Sequence, residues 1–239
     1  MRRVYLLGAC RTAIGKMGGG FSSLSAVSLA TTVIKESIKR AGLKEEDIEH
    51  VIMGCVIQAG LGQNMARQAM LKAGLPIETT AETINIVCGS GLESVNQAAR
   101  MIQTGDADIV LAGGAESMSN APYLLKQARF GYRMGNGELV DTMINDALWD
   151  ATNQYHMGIT AENICEKWNL SREELDAFSV RSQQKAVAAI ENGKFKDEIV
   201  PIAVKVKKDT VLIDTDESPR PDVTMASCPL FCSATTAFL

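Results

Sequence analysis

The chain has 239 residues, 46% of them hydrophobic and 22% charged, a balance that suits a folded protein with an ample core and excludes a disordered one. Its net charge of −4 argues against nucleic acid or an anionic membrane surface as the main partner, while leaving room for a local basic pocket around a phosphorylated ligand. No apolar run approaches the ~20 residues that span a bilayer.

Residues 4–9 are apolar and end in polar residues, which predicts a first strand rather than a signal peptide. A glycine-rich loop at 16–20 follows. Leu24, Val27, Val33, Ile34 and Ile38 then recur at roughly helical spacing, with Gly42 as the stop. Residues 50–57 predict a second strand and 66–73 a short helix ending at Gly74. Residues 83–87 predict a third strand, 91–103 a helix with Leu92, Val95, Ala99 and Ile102 on its apolar stripe, and 108–112 a fourth strand running into Gly113-Gly114. Strands alternating with helices predict an α/β fold, a mostly parallel sheet covered by helices on both faces. From 119 to 155 Pro, Gly, Asn and Tyr break the periodicity, as in a loop-rich functional excursion. Helices resume at 160–168 and from Ser171, whose capping box with Glu174 opens a helix reaching about Ile190 and ended by Asn192-Gly193. Residues 199–207 alternate as a strand. The last 17 residues, from Val223, carry no charged side chain and hold two of the six cysteines.

The cysteines, at 10, 55, 88, 165, 228 and 232, show no paired spacing. This predicts reduced thiols and a cytoplasmic protein. Cys88 stands out by its surroundings, Asn85-Ile86-Val87-Cys88-Gly89-Ser90-Gly91-Leu92-Glu93-Ser94. A strand, a tight glycine-containing turn and a helix start place its sulfur where unpaired N–H groups favour a negative charge, as a nucleophile requires. Gly89 and Gly91 let a substrate approach the backbone, and the Cys88 N–H is available to an oxyanion. Packing filler at a strand end is the competing reading. The chain has only two histidines, His50 and His156, and neither is near Cys88 in sequence, so the residues alone leave both readings open.

The block around Cys88 resembles the nucleophile motif of the thiolase family. Four further blocks are similar to family segments and run in order over about residues 1–222. Ala9-Cys10-Arg11-Thr12-Ala13-Ile14-Gly15-Lys16 resembles the opening strand and loop, and Gly62-Gln63-Asn64-Met65-Ala66-Arg67-Gln68-Ala69 a segment near the catalytic centre and dimer interface. Ala112-Gly113-Gly114-Ala115-Glu116-Ser117-Met118-Ser119 resembles the strand and turn closing the first core half. Met157-Gly158-Ile159-Thr160-Ala161-Glu162-Asn163 resembles the start of the coenzyme-binding loop domain.

The resemblance implies a thiolase-like layered α/β fold, as a first core half (1–118), most of a coenzyme A-binding loop domain (119–222) and an aberrant tail (223–239). It implies that Cys88 takes an acyl group as a thioester, and that Leu148, His156, Met157 and Arg220 line the coenzyme A pocket. There Leu148 and Met157 pack on pantetheine or adenine and Arg220 meets phosphate. Asn64 and Arg67 are expected to be mainly structural, and Gly113-Gly114 to serve a turn. The implied activity is that of an acetyl-CoA C-acetyltransferase of the biosynthetic branch, joining two acetyl-CoA to acetoacetyl-CoA and free coenzyme A or the reverse. Coenzyme A thioesters are its substrates. No permanently bound cofactor, no metal, no nucleic acid and no membrane are implied, and the protein is expected to be a homo-oligomer, dimer or tetramer.

The family's second core half, with its histidine base, asparagine-containing oxyanion segment and second cysteine, has no counterpart motif here, and Cys228 and Cys232 lack the flanking glycines for that last role. The sequence therefore leads us to expect a truncated or frame-shifted product of reduced turnover, with an apolar core face left exposed. A non-catalytic coenzyme A-binding or subunit-pairing fragment, or a condensing enzyme acting on carrier-bound chains, stay open as alternatives.

Overall fold

A computed structural model of the chain describes residues 2–228. Two compact units emerge, one running up to Ala147 and including Glu198–Asp214, the other comprising Leu148–Asp197 and the described residues from Thr215. Residues 119–147 pack with the first unit.

The first unit opens with β1 (Arg11–Thr12), α1 (Ala26–Ala41), β2 (His50–Gly54), α2 (Met65–Ala73), β3 (Thr80–Ile84), α3 (Ser90–Thr104) and β4 (Val110–Gly114). A short antiparallel ribbon of β5 (Tyr123–Leu124) and β6 (Val140–Asp141) follows. The second unit holds the ribbon β7 (Trp149–Asp150) and β8 (Tyr155–His156), then α4 (Met157–Trp168) and α5 (Arg172–Glu191). The chain then returns to the first unit as β9 (Ile199–Val200), β10 (Ile202–Val206) and β11 (Asp209–Ile213). Among the described residues no helix is long and apolar enough to cross a membrane.

The heart of the first unit is a parallel sheet in the order β3-β2-β4, in which His50 to Gly54 align with Thr80 to Ile84 on one side and Val110 to Gly114 on the other. Side chains alternate across a strand. Val51, Met53 and Leu111 therefore point to one face, where Val27, Ala30, Ile34 and Ile38 of α1 and Met65, Ala66, Ala69 and Met70 of α2 bury them in one cluster. α3 lies on the opposite face, against β2 and β4.

α3 departs from its predicted packing. The side chains it buries are Ser90, Ser94 and Ala98, whereas Leu92 is 70% exposed. The reason is close approach. A Cβ on Gly54 would lie 2.5 Å from the Ser90 carbonyl carbon and 2.7 Å from the Gly91 nitrogen, so backbone meets backbone there and only small residues fit. The Ser94 hydroxyl is shared between the Gly91 carbonyl at 2.7 Å and the Gly113 carbonyl at 2.8 Å. An apolar period marks an amphipathic helix but not which side is thin enough to pack at this distance.

Residues 4–9 are a second departure, for no strand forms before Arg11. Gly8 sits at φ 61°, and a Cβ there would lie 2.2 Å from the Ser37 carbonyl oxygen. The chain bends onto α1 at that point, and Leu6 is left 78% exposed. The paired part begins only at β1, parallel to β9 with Arg11 opposite Ile199. The strand expected at 199–207 is two strands, β9 and β10, the latter hairpinned to β11.

In the second unit α5 begins as its sequence predicts. The Ser171 hydroxyl accepts the Glu174 N–H at 3.2 Å and the Glu174 carboxylate accepts the Ser171 N–H at 2.8 Å. Cys228 is buried against the same helix, its thiol 3.8 Å from the Asp176 carbonyl oxygen. Cys232 and the rest of the tail from residue 229 lie outside the described residues.

Candidate active site

Cys88 does not end a strand. β3 stops at Ile84, three residues earlier than its predicted end, and Cys88 lies exposed in the turn between β3 and α3. Side chains hold this turn from two sides. The Asn85 side-chain oxygen accepts the Val87 N–H at 2.8 Å. The Ser90 hydroxyl accepts the Ile86 N–H at 3.0 Å and donates to the Val87 carbonyl at 2.6 Å. Between these braces Val87 is driven to φ 58°. For a β-branched residue that conformation costs roughly 1–3 kcal/mol and persists only where the surroundings over-determine it.

Gly89 then serves as N-cap of α3 without a side-chain acceptor, and the Glu93 N–H bonds its carbonyl at 2.9 Å. A Cβ on Gly91 would meet nothing within 4 Å, so the space in front of the first turn is open. The thiol is thus presented at the carboxyl end of a parallel sheet and the amino end of a helix, beside backbone that a ligand can approach.

At the same end of the sheet, just past β2 and β4, Glu116 receives three donors. Its carboxylate accepts the Val56 N–H and the Ile57 N–H, each at 2.9 Å, and the Cys55 thiol at 3.5 Å. Burial, then the nearby carboxylate, then the bond to it push the Cys55 thiol up to about 12. Cys55 is therefore a protonated core residue, and among the described cysteines only Cys88 is exposed.

His50 is no partner for Cys88. It opens β2, at the opposite end of the sheet from the Cys88 turn, where its Nδ1 lies 2.5 Å from the Thr80 hydroxyl. Asn64 and Arg67 tie α2 to β3. The Asn64 side-chain oxygen caps α2 through the Arg67 N–H at 3.1 Å and accepts the Thr83 hydroxyl at 2.9 Å, while its amide donates to the Ala81 carbonyl at 2.9 Å. The Arg67 guanidinium donates to the Thr79 and Ile77 carbonyls. Gly113 and Gly114 close β4, and Gly114 packs against Gly91.

The residues expected around coenzyme A all fall in the second unit. Trp149 pairs with His156 across the β7–β8 ribbon, and Leu148 and Met157 flank that pair, Leu148 directly before β7 and Met157 at the start of α4. His156 is also the N-cap of α4, its Nδ1 accepting the Gly158 N–H at 3.0 Å. Three of the four residues are therefore gathered at one ribbon end. Arg220 is exposed, and its backbone N–H is held by the Gln183 side chain on α5 at 2.8 Å. No three His, Cys, Asp or Glu side chains converge among the described residues as a metal site would need.

The family model described as "Thiolase, N-terminal domain" matches residues 4–235. The chain belongs to the thiolase family. The match runs past the change of composition after Asp222. Among thiolase-family relatives, an acetyl-CoA acetyltransferase of Syntrophomonas wolfei is 56% identical over 221 residues, covering 92% of this chain and 56% of the relative. One of Pseudomonas aeruginosa is 51% identical over 226 residues, covering 94% and 58%. The crystal structure of the Bacillus anthracis acetyl-CoA acetyltransferase superposes with a TM-score of 0.89 at 41% identity, over 93% of this chain and 56% of that one. The thiolase fold expected from the sequence is therefore the fold observed. The chain spans a little over half the length of the relatives it matches.

The turn braces Asn85 and Ser90 and the clamp at Glu116 come from the structure and not from the sequence reading above. The signals were present, in an Asn two residues before Val87, a Ser three residues after it, and a Glu directly following Gly113-Gly114-Ala115.

Proposed function

We propose that the chain acts as an acetyl-CoA C-acetyltransferase in which Cys88 is the acyl acceptor. The observation that carries this is the presentation of the thiol: exposed, on a braced and strained turn, in front of an open helix start. The Cys88 sulfur attacks the thioester carbon of acetyl-CoA, and the new S–C bond forms as the bond to the coenzyme sulfur breaks. The acetyl group passes to Cys88, the coenzyme leaves as its thiolate, and the cysteine proton ends on it. In the second step the methyl carbon of another acetyl-CoA, having lost a proton, attacks the acetyl carbon; the new C–C bond forms as the Cys88 S–C bond breaks, giving acetoacetyl-CoA, and the released proton restores the Cys88 thiol. The Cys88 N–H, in front of the start of α3, suits the oxyanion.

Leu148, His156 and Met157 are proposed to hold the coenzyme, supported by their clustering at the end of the β7–β8 ribbon, with Arg220 as its phosphate partner. Residues 119–222 are proposed as the loop domain of the family. A homo-oligomer in the cytoplasm fits the free thiols, which a reducing compartment keeps so. The alternative is a non-catalytic coenzyme-binding or subunit-pairing role, favoured by the placement of His50 away from the thiol.

The test is the intact mass of the protein after exposure to acetyl-CoA, beside a Cys88→Ser control. One acetyl increment, absent from the control, is expected. A folded protein that binds coenzyme A and gains no acetyl group would move the conclusion to the alternative.

A further inference from the structure

Glu116 lies in a block whose chemistry the acyl-transfer reading does not use, and its three donors raise the question of what it holds. The carboxylate fixes two successive amides, Val56 and Ile57, with the Cys55 thiol beneath them. The Gln58 side chain closes the same loop by donating to the Cys55 carbonyl at 3.0 Å. This loop in turn grips the segment that carries the nucleophile. The Cys55 N–H donates to the Ile84 carbonyl at 3.1 Å, extending the β2–β3 pairing by one bond. The Asn85 amide reaches the Val56 carbonyl at 3.4 Å, while the same side chain accepts the Val87 N–H on its other end. A continuous chain of contacts therefore runs from Glu116 through residues 55–57 and Asn85 to Val87, the left-handed residue directly before Cys88.

We infer that Glu116 is a positioning residue for Cys88: its carboxylate fixes the 55–57 loop, the loop fixes Asn85, and Asn85 holds Val87 in the conformation that aims the thiol. The inference rests on reading Cys88 as the acyl acceptor. The geometry favours it over a plain stabilising role because Asn85 is exposed and bridges two backbone groups, one on the clamped loop and one on the strained turn. A carboxylate accepts two amides at once, whereas a carboxamide of the same shape turns a donor toward one of them. Glu116→Gln therefore loosens the loop with little change in volume.

The readout is the rate constant for alkylation of Cys88 by iodoacetamide, followed by peptide mass on samples with wild-type circular dichroism. Glu116→Gln and Asn85→Ala are each expected to slow it about tenfold, which is ~1.4 kcal/mol in the barrier. Because both act through one path, the double variant is expected to be no slower than the slower single one. A folded Glu116→Gln protein reacting within twofold of wild type overturns the inference. So do effects that multiply in the double variant, since independent sites add in free energy. If Glu116→Gln does not fold, Asn85→Ala decides alone, with a tenfold loss supporting the path and an unchanged rate overturning it. Wild-type acetylation by acetyl-CoA is measured in parallel. Its failure with the alkylation coupling intact would defeat the acyl-acceptor reading and leave the positioning role standing.

Discussion

Gly54→Ala is the substitution for which the structure makes the sharpest demand. The added methyl would lie 2.5 Å from the Ser90 carbonyl carbon and 2.7 Å from both the Gly91 nitrogen and the Ser90 Cβ. Ordinary carbon contacts begin near 3.5 Å, so α3 and β2 must part by about 1 Å. β2 is the central strand, paired on both sides, and yields little. All three neighbours belong to the start of the helix, which cannot swing aside as a flexible side chain would. Overpacking of this kind costs about 3 kcal/mol, the upper end of the usual range, or a melting temperature lower by roughly 6–12 °C in a chain of this size. Gly91→Ala, on the facing backbone, is the control. A Cβ there meets nothing within 4 Å, and replacing a helical glycine stabilises by roughly 0.5–1 kcal/mol, so the melting point should rise by about 1–4 °C. Thermal melts followed by circular dichroism read both. A Gly54→Ala protein melting within about 1 °C of wild type, or a Gly91→Ala protein falling as far as it, would refute the account of how α3 seats on the sheet.

Two further outcomes follow from bonds already described. The Cys55 thiol is raised from 9.0 to about 12, so the folded protein keeps a proton that the unfolded chain has begun to release. Its contribution to stability is full below pH 9 and disappears as the pH climbs toward 12. The stability gap between wild type and Cys55→Ala should therefore narrow between about pH 9 and pH 11 in melts, and a constant gap would count against the buried protonated thiol. Asn64 caps α2 from φ 41°, a conformation that asparagine and glycine tolerate and alanine does not. Asn64→Ala should cost about 2–3 kcal/mol, from the lost cap and the left-handed backbone together. Asn64→Gly should cost visibly less in urea titrations, and the reverse order would show that the backbone conformation is not what selects this residue.

Much of this was legible from residues. Gly42 and the Ser171–Glu174 box mark helix ends because capping is local chemistry, complete within four residues. The β-α alternation led to the parallel sheet, and the glycine-containing turn led to Cys88. Most of what escaped was set by partners distant in sequence. The composition of residues 4–9 says strand, yet it is Ser37 of α1 that decides how Gly8 bends. The buried side of α3 is chosen by Gly54 on a neighbouring strand, which no helical period reveals. Val87 is left-handed because Asn85 and Ser90 hold its N–H and carbonyl, and the carboxylate that steadies Asn85 comes from 31 residues further on, at Glu116. The coenzyme residues drew on family resemblance alone, since a lone Leu, His or Met carries no pattern of its own.

The pairing of β1 with β9 carries a consequence for synthesis on the ribosome. Arg11 finds its partner only at Ile199, so the second unit's helices are made and can coil while the first unit still lacks a strand. At ribosomal speeds of about 5–20 residues per second, the N-terminal segment waits roughly 10–40 s for that partner. During this interval the backbone groups of β1 that β9 will pair are unsatisfied, and an edge left in that state is open to pairing with other strands.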